Sequence, residues 1–467
     1  MKQQGSRAGQ EATLAEQSNA VCRMGSMMLT AGTGSYRVKA AMGRVAQALG
    51  IEQLEAQVSL NEIVATTRVD GTFRTQVVEV PVPVVNADRI AALMRVSLRA
   101  TTGLSAAKLQ RQLDQVEAKA QHHPHWVIVA GASVACAAFA FLNNGRWQEC
   151  LAAGIAAGCG KLFQLLLRRF RLNQLGTVAM ASTLACTIYM VFAQVLQWAL
   201  PQVVQPLHAA AFTSAILFLI PGFPLLTAAL DLARFDFISG MSRLLYASMI
   251  TLAAALGAWL VAWAFGLSPG EIPALELPAG VLLGLRVLAS LAGVFGFALT
   301  FNTPLRPALA ASLIGVAANV PRLAAVDAGG NPLLCAMAAT TLVGLLAGIA
   351  SQRLPAPRII LSVPAVLIMI PGVSTYRALV AMINRDPLQA LSNGSAALGI
   401  VVALSAGLAV ARMVADPAWI QPNPSWTQMP LTHAQQVLRR RAAGVDGEPD
   451  GPPPNSTGGG DSSQGRA

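Results

Sequence analysis

Charge is scarce in this chain of 467 residues: Asp, Glu, Lys and Arg make up 12% of it, against about 25% in an ordinary soluble domain. That scarcity, with 54% hydrophobic residues and a mean hydropathy of +0.53, excludes a soluble protein and points to a membrane protein. The net charge of +11 does not argue for nucleic acid, because loop Lys and Arg set the orientation of apolar chains in a bilayer. Cysteine is sparse too. The six (Cys22, Cys136, Cys150, Cys159, Cys186, Cys335) form no C-x-x-C pair, and five lie in or beside apolar runs, so they read as small packing residues. His122, His123 and His125 flank Pro124 with no Cys or carboxylate to complete a metal set, and read as a polar stretch at a membrane boundary. A G-x-x-x-x-G-K-[ST] loop is missing, which excludes ATP-driven pumping by this chain alone and implies no cofactor. No apolar run follows Met1-Lys2-Gln3, which argues against a cleaved signal peptide and leaves the N-terminus in the cytoplasm.

Residues 1–125 read as a small α+β cytoplasmic domain. Helical spacing of Leu14, Val21, Met24, Met28 and Leu29 is followed by a second amphipathic helix from Tyr36 to Leu49, closed by Gly50. Alternation at Ala56, Val58 and Leu60, and a second run from Phe73 to Val80 after Asp70-Gly71, predict a β-hairpin. Asn86 is placed to cap a helix through Arg99, and Gly103-Leu104-Ser105 separates it from another helix ending near Lys119. No catalytic set assembles in this domain.

A transmembrane helix needs about 20 mostly apolar residues to cross about 30 Å of hydrocarbon. Ten such segments begin at Trp126, Gln148, Gly176, His208, Leu244, Ala279, Pro307, Pro332, Arg358 and Ser395. The seventh, Pro307 to Val320, is the weakest at 14 residues, and a re-entrant segment is its alternative. Loops on the predicted cytoplasmic side carry Arg168, Arg169, Arg171, Arg234, Arg243, Arg306, Arg353 and Arg358, against Arg146, Arg322 and Arg385 on the other, so both termini are expected inside. The linker Ser268 to Pro278, with Glu271 and Glu276, divides the segments into halves at 126–267 and 268–416. Residues 417–467 form a Pro/Gly-rich tail expected to be disordered. Its segment Leu431 to Ala443, with Arg439-Arg440-Arg441, is either a membrane-surface patch or a solvated charge run.

The most informative pattern is an internal echo. Ile220-Pro221-Gly222 and Ile370-Pro371-Gly372 stand in the fourth segment of each half, and fourteen residues after each Gly comes an aspartate, Asp236 or Asp386. Two consecutive five-helix halves must run in opposite senses, so the expected fold is a polytopic α-helical membrane protein of about ten transmembrane helices arranged as two inverted repeats. Each Pro-Gly is expected to break its helix near mid-depth and to turn backbone carbonyls toward protein, water or substrate. Thr227, Ser374 and Thr375 flank the breaks and offer hydroxyls to a substrate or to the broken backbone. Arg377 either meets a substrate carboxylate or pairs with an Asp, and Asp231 is either a proton carrier or an Arg partner. Lys161 and Arg286 lie near segment ends, where their stems reach the interface.

Met28-Leu29-Thr30-Ala31-Gly32-Thr33-Gly34-Ser35-Tyr36-Arg37-Val38, the run Ile220-Pro221-Gly222-Phe223-Pro224-Leu225 with Asp231, Asp236, Ser239-Gly240 and Arg243, and the later Phe301-Asn302-Thr303-Pro304-Leu305-Arg306 and Ile370-Pro371-Gly372 are distinctive. Together they resemble the threonine/serine exporter family, whose split two-protein relatives are implicated in succinate export. The resemblance covers about residues 12–415 and departs at Phe235, where a small residue is expected. It implies proton-driven export of small hydroxy amino acids across the inner membrane. Pro221, Gly222, Thr227, Pro371, Gly372, Ser374, Thr375 and Arg377 would then lie at the substrate, and Asp231, Asp236, Arg243 and Arg286 would couple protons or gate. A dicarboxylate exporter, or a membrane-anchored protein acting through residues 1–125, are the alternatives. Homo-oligomerisation is left open, and membrane lipid is the expected surrounding.

Overall fold

The computed structural model describes residues 2–119, 123–199, 209–267, 275, 277–354 and 356–415. The Pro/Gly-rich tail with Leu431 to Ala443, His122, and the linker residues Glu271 and Glu276 lie outside the described residues.

The N-terminal region contains α1 (Lys2–Thr30), α2 (Ser35–Ala48), β1 (Gln53–Val58), β2 (Glu62–Val69), β3 (Thr72–Glu79), α3 (Ala87–Arg99) and α4 (Ala106–Ala118). Met24, Met28, Met42, Ile63, Leu93, Leu109 and Leu113 meet in one buried core, so the helices close over one face of the sheet. Both local caps form: Asn86 Oδ1 accepts from Arg89 N–H at 3.1 Å and Ser105 Oγ from Lys108 N–H at 3.3 Å. The expected single hairpin is instead a three-stranded antiparallel meander, β1-β2-β3. The strand in the middle is Glu62–Val69, whose β-branched residues suit a pleated surface and whose Ile63, Ala65 and Thr67 point into the core. Asp70 and Gly71, both at positive φ, make the turn to β3.

Twelve further helices follow among the described residues. The first half holds α5 (His125–Leu142), α6 (Trp147–Leu167), α7 (Gln174–Ala199), α8 (Ala209–Ser214), α9 (Gly222–Leu232) and α10 (Phe237–Ala264). The second holds α11 (Ala279–Thr300), α12 (Leu305–Asp327), α13 (Pro332–Arg353), α14 (Arg358–Leu367), α15 (Gly372–Ile383) and α16 (Pro387–Ala415). Eight of the described helices are long and apolar enough to cross a membrane unbroken. Two bent pairs, turning by 66° between Phe212–Leu219 and Gly222–Leu232 and by 56° between Arg358–Leu367 and Gly372–Met382, bring the number of candidate spans to ten. The chain is a polytopic helical membrane protein.

The seventh segment is a full helix of 23 residues, long enough to span, which favours its place among the ten over the re-entrant alternative. Pro321 lies inside α12 without ending it. Two residues earlier, buried Asn319 donates to Ser290 Oγ on α11 (3.0 Å) and accepts from Arg322 (2.9 and 3.0 Å), tying that stretch to its neighbour. Helices α5 and α11 touch backbone to backbone at Gly131 and Gly296, where a Cβ on the first would stand 2.9 Å from Gly296 O and one on the second 2.5 Å from Gly131 O. They pack antiparallel, because His123, just before α5, donates its N–H to Asn302 Oδ1 (2.9 Å), just after α11.

Candidate functional site

Each Pro-Gly break is built the same way. Pro221 (φ −80°, ψ 61°) and Pro371 (φ −81°, ψ 61°) sit at the centre of inverse γ-turns. The following glycine N–H donates back to Ile220 O (2.8 Å) or Ile370 O (2.9 Å). Proline suits this position because its ring fixes φ and it has no N–H to place in the helical ladder. The ladder then restarts from the proline's own carbonyl, which accepts from Leu225 N–H in one half and Thr375 N–H in the other. Both resumed helices end with a left-handed residue, Phe235 (φ 61°) or Arg385 (φ 60°), and then an aspartate that caps the next helix. Asp236 Oδ1 accepts from Ser239 N–H (3.5 Å) and Asp386 Oδ1 from Gln389 N–H (3.0 Å). The two breaks adjoin. A Cβ on Gly222 would overlap Leu367 and stand 3.0 Å from Ile370, while Gly372 faces Leu217 and Phe139 at 3.8 Å.

Nine residues past the first break, about 13 Å along α9 by helical rise, a polar cluster joins the bent span to the N-terminal region. Asp231 and Arg243 are both buried, and Arg243 Nε stands 3.3 Å from Asp231 Oδ2. Ser239 Oγ donates to the same carboxylate oxygen at 3.0 Å. From the α1–α2 turn, Ser35 N–H donates to Asp231 Oδ2 (3.3 Å) and Thr33 O accepts from Arg243 Nη2 (3.0 Å). Gly34, the N-cap of α2, has no side chain for its own cap. A carboxylate from α9 therefore meets the positive end of α2 in its place.

At the rim, Asp236 Oδ2 accepts from Ser35 Oγ (2.5 Å) and Lys39 Nζ (2.6 Å). Burial pushes the Asp236 carboxyl up, but Lys39 and Ser35 outweigh it and hold the group below the ordinary carboxylate value. The Arg234 guanidinium lies 3.7 Å over the Tyr36 ring. Between these groups is a small cavity of about 30 Å³ lined by Gly34, Arg37, Thr227, Asp231, Arg234 and Arg412, among others. It presents one carboxylate and several guanidinium groups, the chemistry of both ends of a zwitterion, but as it stands it has room for only about one or two waters.

Thr227, Asp231, Asp236 and Arg243 thus come together, and Pro221-Gly222 meets the second-half break. Thr227 and Thr375 donate their hydroxyls to their own helices, at Phe223 O and Pro224 O (both 3.0 Å) and at Pro371 O (2.9 Å). Ser374 and Arg377 lie partly buried on α15 beyond the second break. Arg286 does not join the cluster: it pairs with Asp327 at the end of α12 remote from the N-terminal region. Sequence reasoning missed Ser35, Lys39, Arg37 and Arg412 as site residues. A signal for the first two existed in Thr33-Gly34-Ser35, a turn that opens a helix with no side-chain cap.

Comparison with known proteins bears on what this arrangement serves. A family model described as "Putative threonine/serine exporter" matches residues 19–266, and one described as "Threonine/Serine exporter, ThrE" matches residues 286–414. The probable threonine/serine exporter of Mycobacterium tuberculosis is 24% identical over 412 residues, covering 85% of this chain and 75% of the relative. The threonine/serine exporter of Corynebacterium glutamicum is 24% identical over 432 residues, covering 88% and 85%. The probable succinate transporter subunit YjjP of Escherichia coli is 26% identical over 257 residues, covering 54% of this chain and 97% of the relative. No solved structure matches.

Proposed function

The chain belongs to the threonine/serine exporter family, and we propose that it is a secondary exporter of threonine and serine, driven by protons, whose substrate path runs between the two Pro-Gly breaks. The observation that carries this reading is the meeting of two identically built breaks, with Gly222 against Leu367 and Ile370 and Gly372 against Leu217. In this reading the halves, 126–267 and 268–416, are inverted repeats, as the antiparallel packing of α5 on α11 supports. Broken helices at a repeat interface are where secondary transporters bind substrate.

Substrate reaches the breaks from the Asp231 cavity on the side of the N-terminal domain, residues 1–125, which this reading puts in the cytoplasm. Once the α1–α2 turn lifts and widens this cavity, the amino acid's ammonium group faces Asp231 and its carboxylate faces Arg37, Arg234 or Arg412. Thr227, Ser374, Thr375 and Arg377 line the onward path. The α1–α2 turn, held by Asp231, Asp236 and Arg243, is the gate on this side. Protonation of Asp231 removes its charge, weakens its hold on Arg243 and the α2 N-terminus, and lets the turn lift.

The test is efflux from cells lacking their own exporters, preloaded with Thr- and Ser-containing dipeptides, with external threonine, serine and succinate followed with and without an uncoupler. Uncoupler-sensitive release of threonine or serine is expected, and Asp231→Asn should lower it in a protein that still folds. Several arginines around one carboxylate also favour a second reading, export of a dicarboxylate. Release of succinate alone would replace the first reading with the second.

A further inference from the structure

A second recess lies where the N-terminal region meets α5 and α6. It has a volume of about 300 Å³ and is lined by Arg89 and Lys119 from one side and by His125, Lys161 and Arg168 from the other, with Asn302 at its edge. Lys119 is neutralised by Asp88 at 2.6 Å. Arg89, Lys161 and Arg168 are not. Arg89 donates to a backbone carbonyl, Glu117 O, at 3.4 Å. Lys161 donates to the neutral Gln164 Oε1 at 2.9 Å and stands 5.8 Å over the Phe218 ring. Among the described residues, no carboxylate lies within 4.0 Å of Arg89, Lys161 or Arg168. Cations gathered in a recess of lowered dielectric repel one another unless an anion joins them.

We infer that this recess binds a phosphate group, which bridges Arg89 on the N-terminal region to Lys161 on α6 and Arg168 just past its end. A phosphate offers enough acceptor oxygens to meet two guanidinium groups and an ammonium at once, with charge-assisted bonds to each. The volume exceeds that of one phosphate and leaves room for the body that carries it. Two sources share this chemistry: the headgroup of an anionic lipid and a phosphate free in solution. Trp126 opens α5 beside the recess and is 71% exposed, a position typical of the membrane interface. Basic pockets at that level take anionic headgroups.

The test uses the full-length protein purified in neutral detergent, with thermal unfolding followed during separate titrations of phosphatidylglycerol in mixed micelles and of inorganic phosphate, each against chloride at matched ionic strength. A saturable rise in Tm is expected, with the apparent Kd weakened at least tenfold by Lys161→Gln and by Arg168→Gln. Arg168 is largely exposed, so its replacement keeps the test open even where Lys161→Gln fails to fold. A rise with phosphatidylglycerol alone assigns a lipid headgroup, and a rise with inorganic phosphate assigns a free anion. A Tm unmoved by either ligand, or moved equally in wild type and Arg168→Gln, overturns the inference.

Discussion

The two bent spans share a backbone but not a chemistry. Counting from Gly222 and Gly372, both halves have the same γ-turn at proline, the same left-handed residue thirteen positions on, and the same capping aspartate after it. At the positions of Thr227, Asp231, Ser239 and Arg243, however, the second half has Arg377, Ala381, Gln389 and Asn393. What repeats is what the bend requires. What does not repeat is the buried ion pair and its serine, and only the half that has them receives the α1–α2 turn. Asp236 and Asp386 therefore owe their shared spacing to capping, whereas Asp231 and Arg243 belong to the contact with the N-terminal region.

The largest test of that division is to remove one partner of the buried pair. Arg243→Met leaves the Asp231 carboxylate buried without its cation, and breaking such a pair costs about 3–5 kcal/mol. Asn393→Met, at the equivalent place, loses one exposed side-chain bond to Gln389 O, so a change within about 0.5 kcal/mol is expected. Thermal unfolding of the purified variants reads both. Equal losses in the two would mean that the pair is general packing and not a feature of the docked half.

Next come the two glycines, which share a motif and differ in surroundings. Gly222→Ala drives a methyl into Leu367, itself buried, and overpacking of this kind costs about 1–3 kcal/mol. Gly372→Ala meets Leu217 and Phe139 at ordinary contact distance and should leave unfolding and efflux close to wild type. A tolerant Gly222→Ala would show that α9 can move away from α14 at little cost.

A smaller difference should separate the two caps. Asp386→Ala loses an N-cap, about 1 kcal/mol. Asp236→Ala loses the same cap and also the contacts to Lys39 and Ser35, so it should be the more damaging. Because the folded carboxyl of Asp236 lies below its ordinary value, this extra contribution is fully present above about pH 3.9. It is lost as pH falls through the lowered value. The gap between the two variants should therefore hold from neutral to mildly acidic pH and close only below that.

The parts of this architecture legible in the sequence were those written locally. Asn86 and Ser105 announce helix starts, Pro-Gly announces a break, and the Pro-Gly-to-Asp spacing announces that the break repeats. The third strand was hidden because Ile63 to Val69 lies between two runs that already looked like partners. The length of α12 was hidden because Pro321 reads as a stop, while the bonds of Asn319 that tie α12 to α11 come from folding. The contact of Ser35 with Asp231 spans 196 residues, and no local pattern marks which carboxylate will meet an uncapped helix.

The smallest effect concerns the left-handed residue that ends each resumed helix. Phe235 and Arg385 hold left-handed backbone, which disfavours both side chains and which Asn tolerates better. In the first turn of each half, the corresponding left-handed positions are Asn144 and Asn302. On backbone grounds alone, Phe235→Asn and Arg385→Asn should each stabilise by a few tenths to about 1 kcal/mol. Phe235, though, is 80% exposed and packs edge-on against Phe237 with ring centroids 6.0 Å apart. In detergent, where that aromatic pair is weakly held, both substitutions should raise Tm alike. In a bilayer Phe235→Asn also withdraws an apolar ring from the membrane interface. A gain for Arg385→Asn with none for Phe235→Asn in lipid would mean that this position retains phenylalanine for its lipid contact, at the expense of backbone strain.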